Sequence, residues 1–311
     1  MYDLVIIGGG PAGLTAAIYA LRARLNTLVI EKLGVGGQIA LSDIIENYPG
    51  FPSLSGGDLM KHFEDHARAV GMQTKFTEVL GIDQNGPYKT VRTADGPLET
   101  KAVIIATGAE PKRLGFPGEQ EFLGKGISTC GTCDGPFYRN KPIAVIGGGD
   151  TAVKESIYLS RLASKVYHIH RRDRFRAEKI LQERLLAREN VEILWRSSVE
   201  AALGDDSGVT GIRVKNADSG EARDIKVDGI FVFIGITPST GFVECDKDPQ
   251  GFIITGADMT TSNPGIFAAG DCRDTPLRQV STAVGDGAIA AAKAEEYISE
   301  MEGRAYPSAP K

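Results

Sequence analysis

Short runs of consecutive apolar, mostly β-branched residues punctuate this chain, and clusters of glycine follow several of them. Leu4-Val-Ile-Ile7 is one such run, closed by Gly8, Gly9 and Gly10. With no polar residue to face water, it predicts a strand covered on both faces. Residues 14–23 read as a helix, and Thr27-Leu-Val-Ile30 is a second strand that ends at Glu31. Strand, glycine turn, helix and strand make a βαβ unit. The pattern recurs far downstream. Ile143-Ala-Val-Ile146 precedes Gly147-Gly-Gly149, a helix runs to about Ala163, and Lys165 to His170 is the next strand.

Two more segments look paired. Ala102 to Gly108 is a strand ending in small residues, and Gly265 to Asp271 is another, ahead of a helix over 285–298. Prolines break the pattern near Glu110-Pro111-Lys112 and Thr237-Pro238-Ser239. We read these as the two strands of one hinge. They bound an inserted domain, 112–239, that carries the second glycine turn. The first domain is then discontinuous, 1–111 and 240–311. The predicted fold class is α/β, with two Rossmann-like dinucleotide-binding domains of the three-layer ββα type. The tail from Gly303, with Pro307 and Pro310, reads as loose.

Composition narrows the function classes. The chain has 311 residues, 42% hydrophobic and 24% charged, as expected of a globular protein of about two domains. A net charge of -5 argues against nucleic acid or an anionic membrane as partner. No apolar run approaches the roughly 18 residues of a membrane span, and no basic, cleavable start is visible, so the expected location is cytoplasmic. In a reducing compartment, four cysteines are not a disulfide framework. A close pair there points instead to catalysis or metal binding.

A Gly-x-Gly-x-x-Gly turn at a helix N-terminus lets bare backbone approach a pyrophosphate, and the helix dipole favours the anion. Gly8, Gly10 and Gly13 have that spacing, with Pro11 and Ala12 between them. Glu31 stands where an acid meets a ribose 2′-hydroxyl, which suits FAD or NAD. The second turn has Gly147, Gly149 and Ala152, with Asp150 and Thr151 opening the helix. Its second strand ends in His170, Arg171 and Arg172, with Arg176 beyond. Arginines at that place suit a 2′-phosphate and therefore NADP over NAD.

Cys130-Gly-Thr-Cys133-Asp134 lies just upstream of the second turn. Zinc and iron–sulfur readings lack the further ligands such sites need. Two unrelated thiols leave the neighbouring Asp134 unexplained. A redox-active disulfide fits best, with Asp134 as proton donor or acceptor. His62 and His66 share a helix face that we read as solvated. Cys272, beside Asp271, is expected to pack near the flavin phosphates. Trp195 and the run from Arg196 to Gly208 carry no functional reading.

Taken in order, these motifs resemble the low-molecular-weight thioredoxin reductases, class II pyridine nucleotide-disulfide oxidoreductases, nearly end to end. The resemblance is carried by Gly8 to Gly13, Gly36-Gly37-Gln38, Glu46 to Gly50 and Ala106-Thr107-Gly108. It continues through Cys130 to Asp134, Gly147 to Ala152, His170 to Arg176, Gly265 to Asp271 and Arg278-Gln279-Val280 ahead of Ala283. It implies that FAD is held by the first turn with Glu31, Lys32, Gly36, Gly37, Gln38, Asn47, Ala106, Thr107, Gly108, Gly270, Asp271, Arg278, Gln279 and Val280. NADPH is implied at the second turn and its arginines. By the same resemblance Cys133 faces the flavin, Cys130 attacks the disulfide of thioredoxin or a thioredoxin-like protein, and the enzyme is a homodimer. The chain departs from the family at Gly131, where alanine is commoner, at Pro136 and at Lys154. Pro136 bears on partner preference.

Because the Cys pair and the second turn share one domain and must both reach one flavin, a rotation at the two crossings is expected between half-reactions. The alternatives are a flavin-dependent dithiol oxidase and a reductase of another thioredoxin-like or peroxiredoxin partner. A ferredoxin-linked reductase is disfavoured by the Cys pair, and a nucleotide sensor does not need one.

Overall fold

The structure is a computed structural model that describes residues 1–42 and 45–304. The tail with Pro307 and Pro310 lies outside the described residues. The chain forms two compact units, one of Met1–Glu110 with Thr237–Lys311 and one of Pro111–Ile236.

The first unit is built on β1 (Tyr2–Ile7), α1 (Pro11–Arg22), β2 (Thr27–Glu31), α2 (Gly56–Ala69), β3 (Gln73–Phe76), β4 (Val79–Asn85), β5 (Tyr88–Thr93) and β6 (Gly96–Ile105). Its sheet runs β3-β2-β1-β6-β5-β4, with β17 (Ile266–Ala268) also paired to β6. Strand β1 is parallel to β2 and β6, while β4, β5 and β6 are antiparallel. The apolar run of β1 serves two cores. Leu4 and Ile6 pack with α1 and α6 (Val280–Met301), and Val5 and Ile7 face Val91, Val103 and Val243. That is the two-residue alternation of a strand buried on both faces.

Helix α6 starts at Val280, earlier than the predicted Gly285. The sequence hid this start because Val280, Thr282 and Val284 are β-branched and disfavour helix. A capping box offsets that, with the Gln279 backbone N–H donating to Thr282 Oγ1 at 3.1 Å. Small residues, Ala283, Gly287, Ala290 and Ala294, form the buried stripe of α6. A Cβ at Gly287 would overlap the Ala12 carbonyl, so glycine permits the close approach to α1.

At the unit boundary, β7 (Ala109–Pro111) pairs with β16 (Ile236–Pro238) as a two-stranded sheet. The second unit contains β8 (Ile127–Ser128), α3 (Gly131–Asp134), β9 (Pro142–Gly147), α4 (Asp150–Leu159), β10 (Lys165–Ile169), α5 (Lys179–Leu186), β11 (Val191–Leu194) and β15 (Gly229–Phe233). These strands form a parallel sheet in the order β11-β10-β9-β15-β8. A separate antiparallel sheet joins β12 (Ser197–Asp205), β13 (Gly208–Asn216) and β14 (Ala222–Lys226). Its inward residues Ile212, Val214 and Ile225 pack on Ala144, Ile146 and Ile230 of the parallel sheet. The other face, with Ile143, Val145 and Phe231, packs on Ala152 and Leu159 of α4. Sheet, sheet and helix are thus three layers, and the run from Arg196 to Gly208 contains the whole of strand β12.

Candidate cofactor and redox sites

The first turn connects β1 to α1 through backbone that side chains would obstruct. Gly8 has φ +111°, and a Cβ there would meet the Ala106 carbonyl. A Cβ at Gly13 would overlap the Gly8 carbonyl oxygen and reach within 3.4 Å of Ala106. At Gly10 a Cβ would meet nothing within 4 Å, so that backbone is open to a ligand. Pro11 opens α1, where its missing N–H costs nothing, and Ala12 is buried beneath the turn.

Glu31 closes this turn. Its Oε2 accepts from Gly9 N at 2.7 Å, and its Oε1 accepts from the backbone of Lys32 at 2.7 Å and Leu33 at 3.2 Å. The Lys32 ammonium turns instead to Glu78, 2.7 Å away. Gly36 N donates to the Gly9 carbonyl at 2.8 Å, and Gly37 begins the short 3₁₀ turn that carries Gln38.

Distant segments of the first unit join in. Asn47 Nδ2 donates to Gln279 Oε1 at 3.0 Å, which ties two expected flavin neighbours together at the start of α6. Thr107 Oγ1 donates to the Ser239 carbonyl at 2.7 Å, and Ser239 N donates to the Gly108 carbonyl at 3.1 Å. Gly270 follows β17, and its N–H donates to Asp286 Oδ2 at 3.1 Å. Burial pushes the Asp271 carboxyl up to about 6, against the pull of Arg278. Arg278 lies over the Phe252 ring at 4.2 Å, and its buried Nε has no hydrogen-bond partner among the described residues. Cys272 is fully buried, with its Sγ 3.3 Å from the carbonyls of Ile105 and Ala269, and burial pushes its thiol up to about 11.

The second turn shares this plan and differs in its chemistry. A Cβ at Gly147 would overlap the Ala152 methyl, while Gly149 is as open as Gly10. Asp150 Oδ1 accepts from Glu178 N at 2.8 Å, and Thr151 is exposed on the first turn of α4. The His170 ring fills the place a side chain at Gly148 would take, and its Nε2 lies 3.0 Å from the Arg174 carbonyl. It packs with Phe175 and Trp195, which gives Trp195 a supporting role that the sequence did not reveal. Arg171, Arg172 and Arg176 are exposed around it, and among the described residues none of them forms an ion pair.

Cys130 and Cys133 are joined in a disulfide at the ends of one helical turn. Cys133 N donates to Cys130 Sγ at 3.2 Å, and Asp134 N to the Cys130 carbonyl at 3.2 Å. Ser128 Oγ accepts from Cys130 N at 3.0 Å. Two nearby residues were missed in the sequence. His168 sits beneath the second turn, its ring nitrogens 2.9 Å from Ser156 Oγ and 3.2 Å from the Gly147 carbonyl, and burial lowers its pKa to about 4. Glu155, on α4, presses its carboxyl against Gly131 between the cysteines, and burial raises its pKa. Both read as ordinary helix and strand residues until tertiary packing is known. His62, on the α2 face with His66, stacks on Phe51 with ring centroids 5.3 Å apart.

Two open glycine turns, each at a helix N-terminus, fit two dinucleotides. The unpaired Arg278 Nε fits an anionic or carbonyl partner in the first, and the exposed arginines fit a phosphate in the second. Together with the disulfide these features define a flavin- and nicotinamide-linked disulfide oxidoreductase. The pyridine nucleotide-disulphide oxidoreductase family matches residues 2–287, and the chain belongs to it. A thioredoxin reductase of Treponema pallidum (strain Nichols) is 46% identical over 303 residues, 97% of this chain and 98% of that relative. One from Bacillus subtilis (strain 168) is 43% identical over 304 residues, 97% of this chain and 96% of its own length. The crystal structure of thioredoxin reductase from Streptococcus pyogenes MGAS5005 matches with a TM-score of 0.93 at 44% identity, covering 96% of this chain and 99% of that one.

Proposed function

We propose that this protein is an NADPH-dependent thioredoxin reductase. The observation that carries the reading is a disulfide, Cys130–Cys133, in the same unit as a glycine turn flanked by unpaired arginines. When bound, FAD and NADPH supply the two-electron path from nicotinamide to disulfide. Gly8 to Gly13, Asn47, Asp271 and Gln279 hold the flavin nucleotide; Gly147 to Ala152 with Arg171, Arg172 and Arg176 hold NADPH.

The Cys pair accepts two electrons and two protons. Its S–S bond breaks and two thiols form, with Asp134 handling a proton. As thiolate, Cys130 attacks the disulfide of thioredoxin and forms a mixed disulfide; Cys133 then attacks that bond and restores the intramolecular disulfide. Rotation at the crossings β7 and β16 alternates the half-reactions. The working form is a homodimer in the cytoplasm. No helix among the described residues is long and apolar enough to cross a membrane.

Cys133→Ser tests the assignment. It should abolish reduction of thioredoxin while NADPH still bleaches the flavin band. Thioredoxin reduction at an undiminished rate in that variant contradicts the mechanism.

A further inference from the structure

Gly131 stands between the two cysteines, and the space of its missing side chain is occupied. A Cβ at this position would overlap Glu155 Oε2 and come within 3.5 Å of the Phe233 ring. Glu155 reaches this spot from α4, whose neighbouring residues Ala152, Val153, Ser156 and Ile157 are buried. Its Oε2 is closed to water and has no hydrogen-bond partner among the described residues. Buried polar atoms in native proteins are nearly always partnered, so an orphan against the glycine that follows Cys130 calls for an explanation.

The intact disulfide turn does not use this oxygen. Three of its backbone donors are engaged elsewhere: Cys130 N with Ser128 Oγ, Cys133 N with Cys130 Sγ, and Asp134 N with the Cys130 carbonyl. The disulfide itself has no hydrogen to donate. Reduction changes that count. Two electrons and two protons convert the S–S bond into two S–H groups, each a new, weak donor. Burial alone raises the Glu155 pKa, and the carboxyl offers an acceptor oxygen in either protonation state.

We propose that Glu155 is a positioning residue of the Cys130–Cys133 couple: its buried oxygen, orphaned against Gly131 between the two cysteines in sequence, accepts the hydrogen bond of a thiol formed on reduction and so favours the dithiol. The inference rests on the reading of the pair as redox-active. Glu155 itself gains and loses no atoms, and the electrons are those of the proposed reaction. Gly131 is the matching device, because alanine there displaces the carboxyl.

The test equilibrates the holoenzyme in glutathione redox buffers and counts Cys130 and Cys133 thiols by alkylation and mass. Glu155→Leu should shift the couple toward disulfide about tenfold, equivalent to about 30 mV for two electrons. Glu155→Gln keeps an acceptor oxygen and should stay within about twofold of the parent, well inside that tenfold scale. Gly131→Ala should shift the couple in the same direction as Glu155→Leu, and combining the two should add nothing further. An unshifted couple in Glu155→Leu overturns the proposal, and so does an unshifted Gly131→Ala if the leucine variant does not fold. Either result leaves the proposed function standing when the parent still passes electrons from NADPH to thioredoxin; failure of that transfer in the parent strikes the functional reading instead.

Discussion

The two glycine turns share one backbone plan and end in opposite chemistry. In the first unit Ile6 pairs with Val29, and the strand that follows closes on Glu31, whose carboxylate returns to Gly9 N at 2.7 Å. In the second, Val145 pairs with His168, and the strand leads to His170 and a cluster of exposed arginines. Val29 and His168 thus occupy the same register, one apolar and one a buried imidazole. The glycines set where a phosphate is able to approach; the residues ending the second strand set which charge waits there. A duplicated scaffold acquires two ligand preferences through a few side chains at one end of the sheet.

Breaking the first turn should have the largest effect. Gly8→Ala places a side chain at positive φ and against the Ala106 carbonyl. It should cost roughly 3 kcal/mol or more and release the flavin, because backbone strain adds to overpacking. Thermal melting together with the yellow absorbance of the purified protein checks both. A protein that keeps its flavin and its melting temperature shows that the turn is more yielding than the geometry says.

Next in size is the charge difference itself. Replacing Arg171, Arg172 and Arg176 together by glutamine should raise KM for NADPH about 100-fold, near 2.7 kcal/mol, while NADH changes about twofold at most. Steady-state kinetics with both nucleotides reads this. Equal losses with NADPH and NADH would assign the arginines a general role and remove the contrast with Glu31.

The smallest expected effect concerns Val29 against His168. Burial holds the His168 pKa near 4, below the roughly 6.5 of an unfolded histidine. The unfolded state therefore binds the extra proton first. Stability from this group is present above about pH 6.5 and is lost as pH falls toward 4. Between pH 6.5 and 5.5 the loss should be about 1 kcal/mol. Denaturant midpoints across that interval, compared with those of His168→Gln, measure it; equal slopes in the two proteins would show that His168 is not the group responsible.

Both βαβ units were legible because buried parallel strands leave uninterrupted apolar runs and the glycines that follow them have few other uses. The antiparallel strands β12 to β14 were not. Arg213 and Lys215 alternate with Val214 in β13, a half-exposed pattern too short and too charged to separate from a loop. At the candidate sites, spacing pointed to the Cys pair, but no spacing rule reports that Gly131 makes room for Glu155. Nor does one reveal that Trp195 and Phe175 hold His170 under Gly148. These contacts join residues from separate elements, and only the packed sheet and helices bring them together.

The most direct test of the whole account is anaerobic titration of the purified yellow protein with NADPH, then with oxidised thioredoxin, following the flavin band and free thiols. The account predicts bleaching by NADPH, then recovery of the flavin band as thiols appear on thioredoxin. An unbleached flavin, or a bleached one that never yields thiols on thioredoxin, contradicts it.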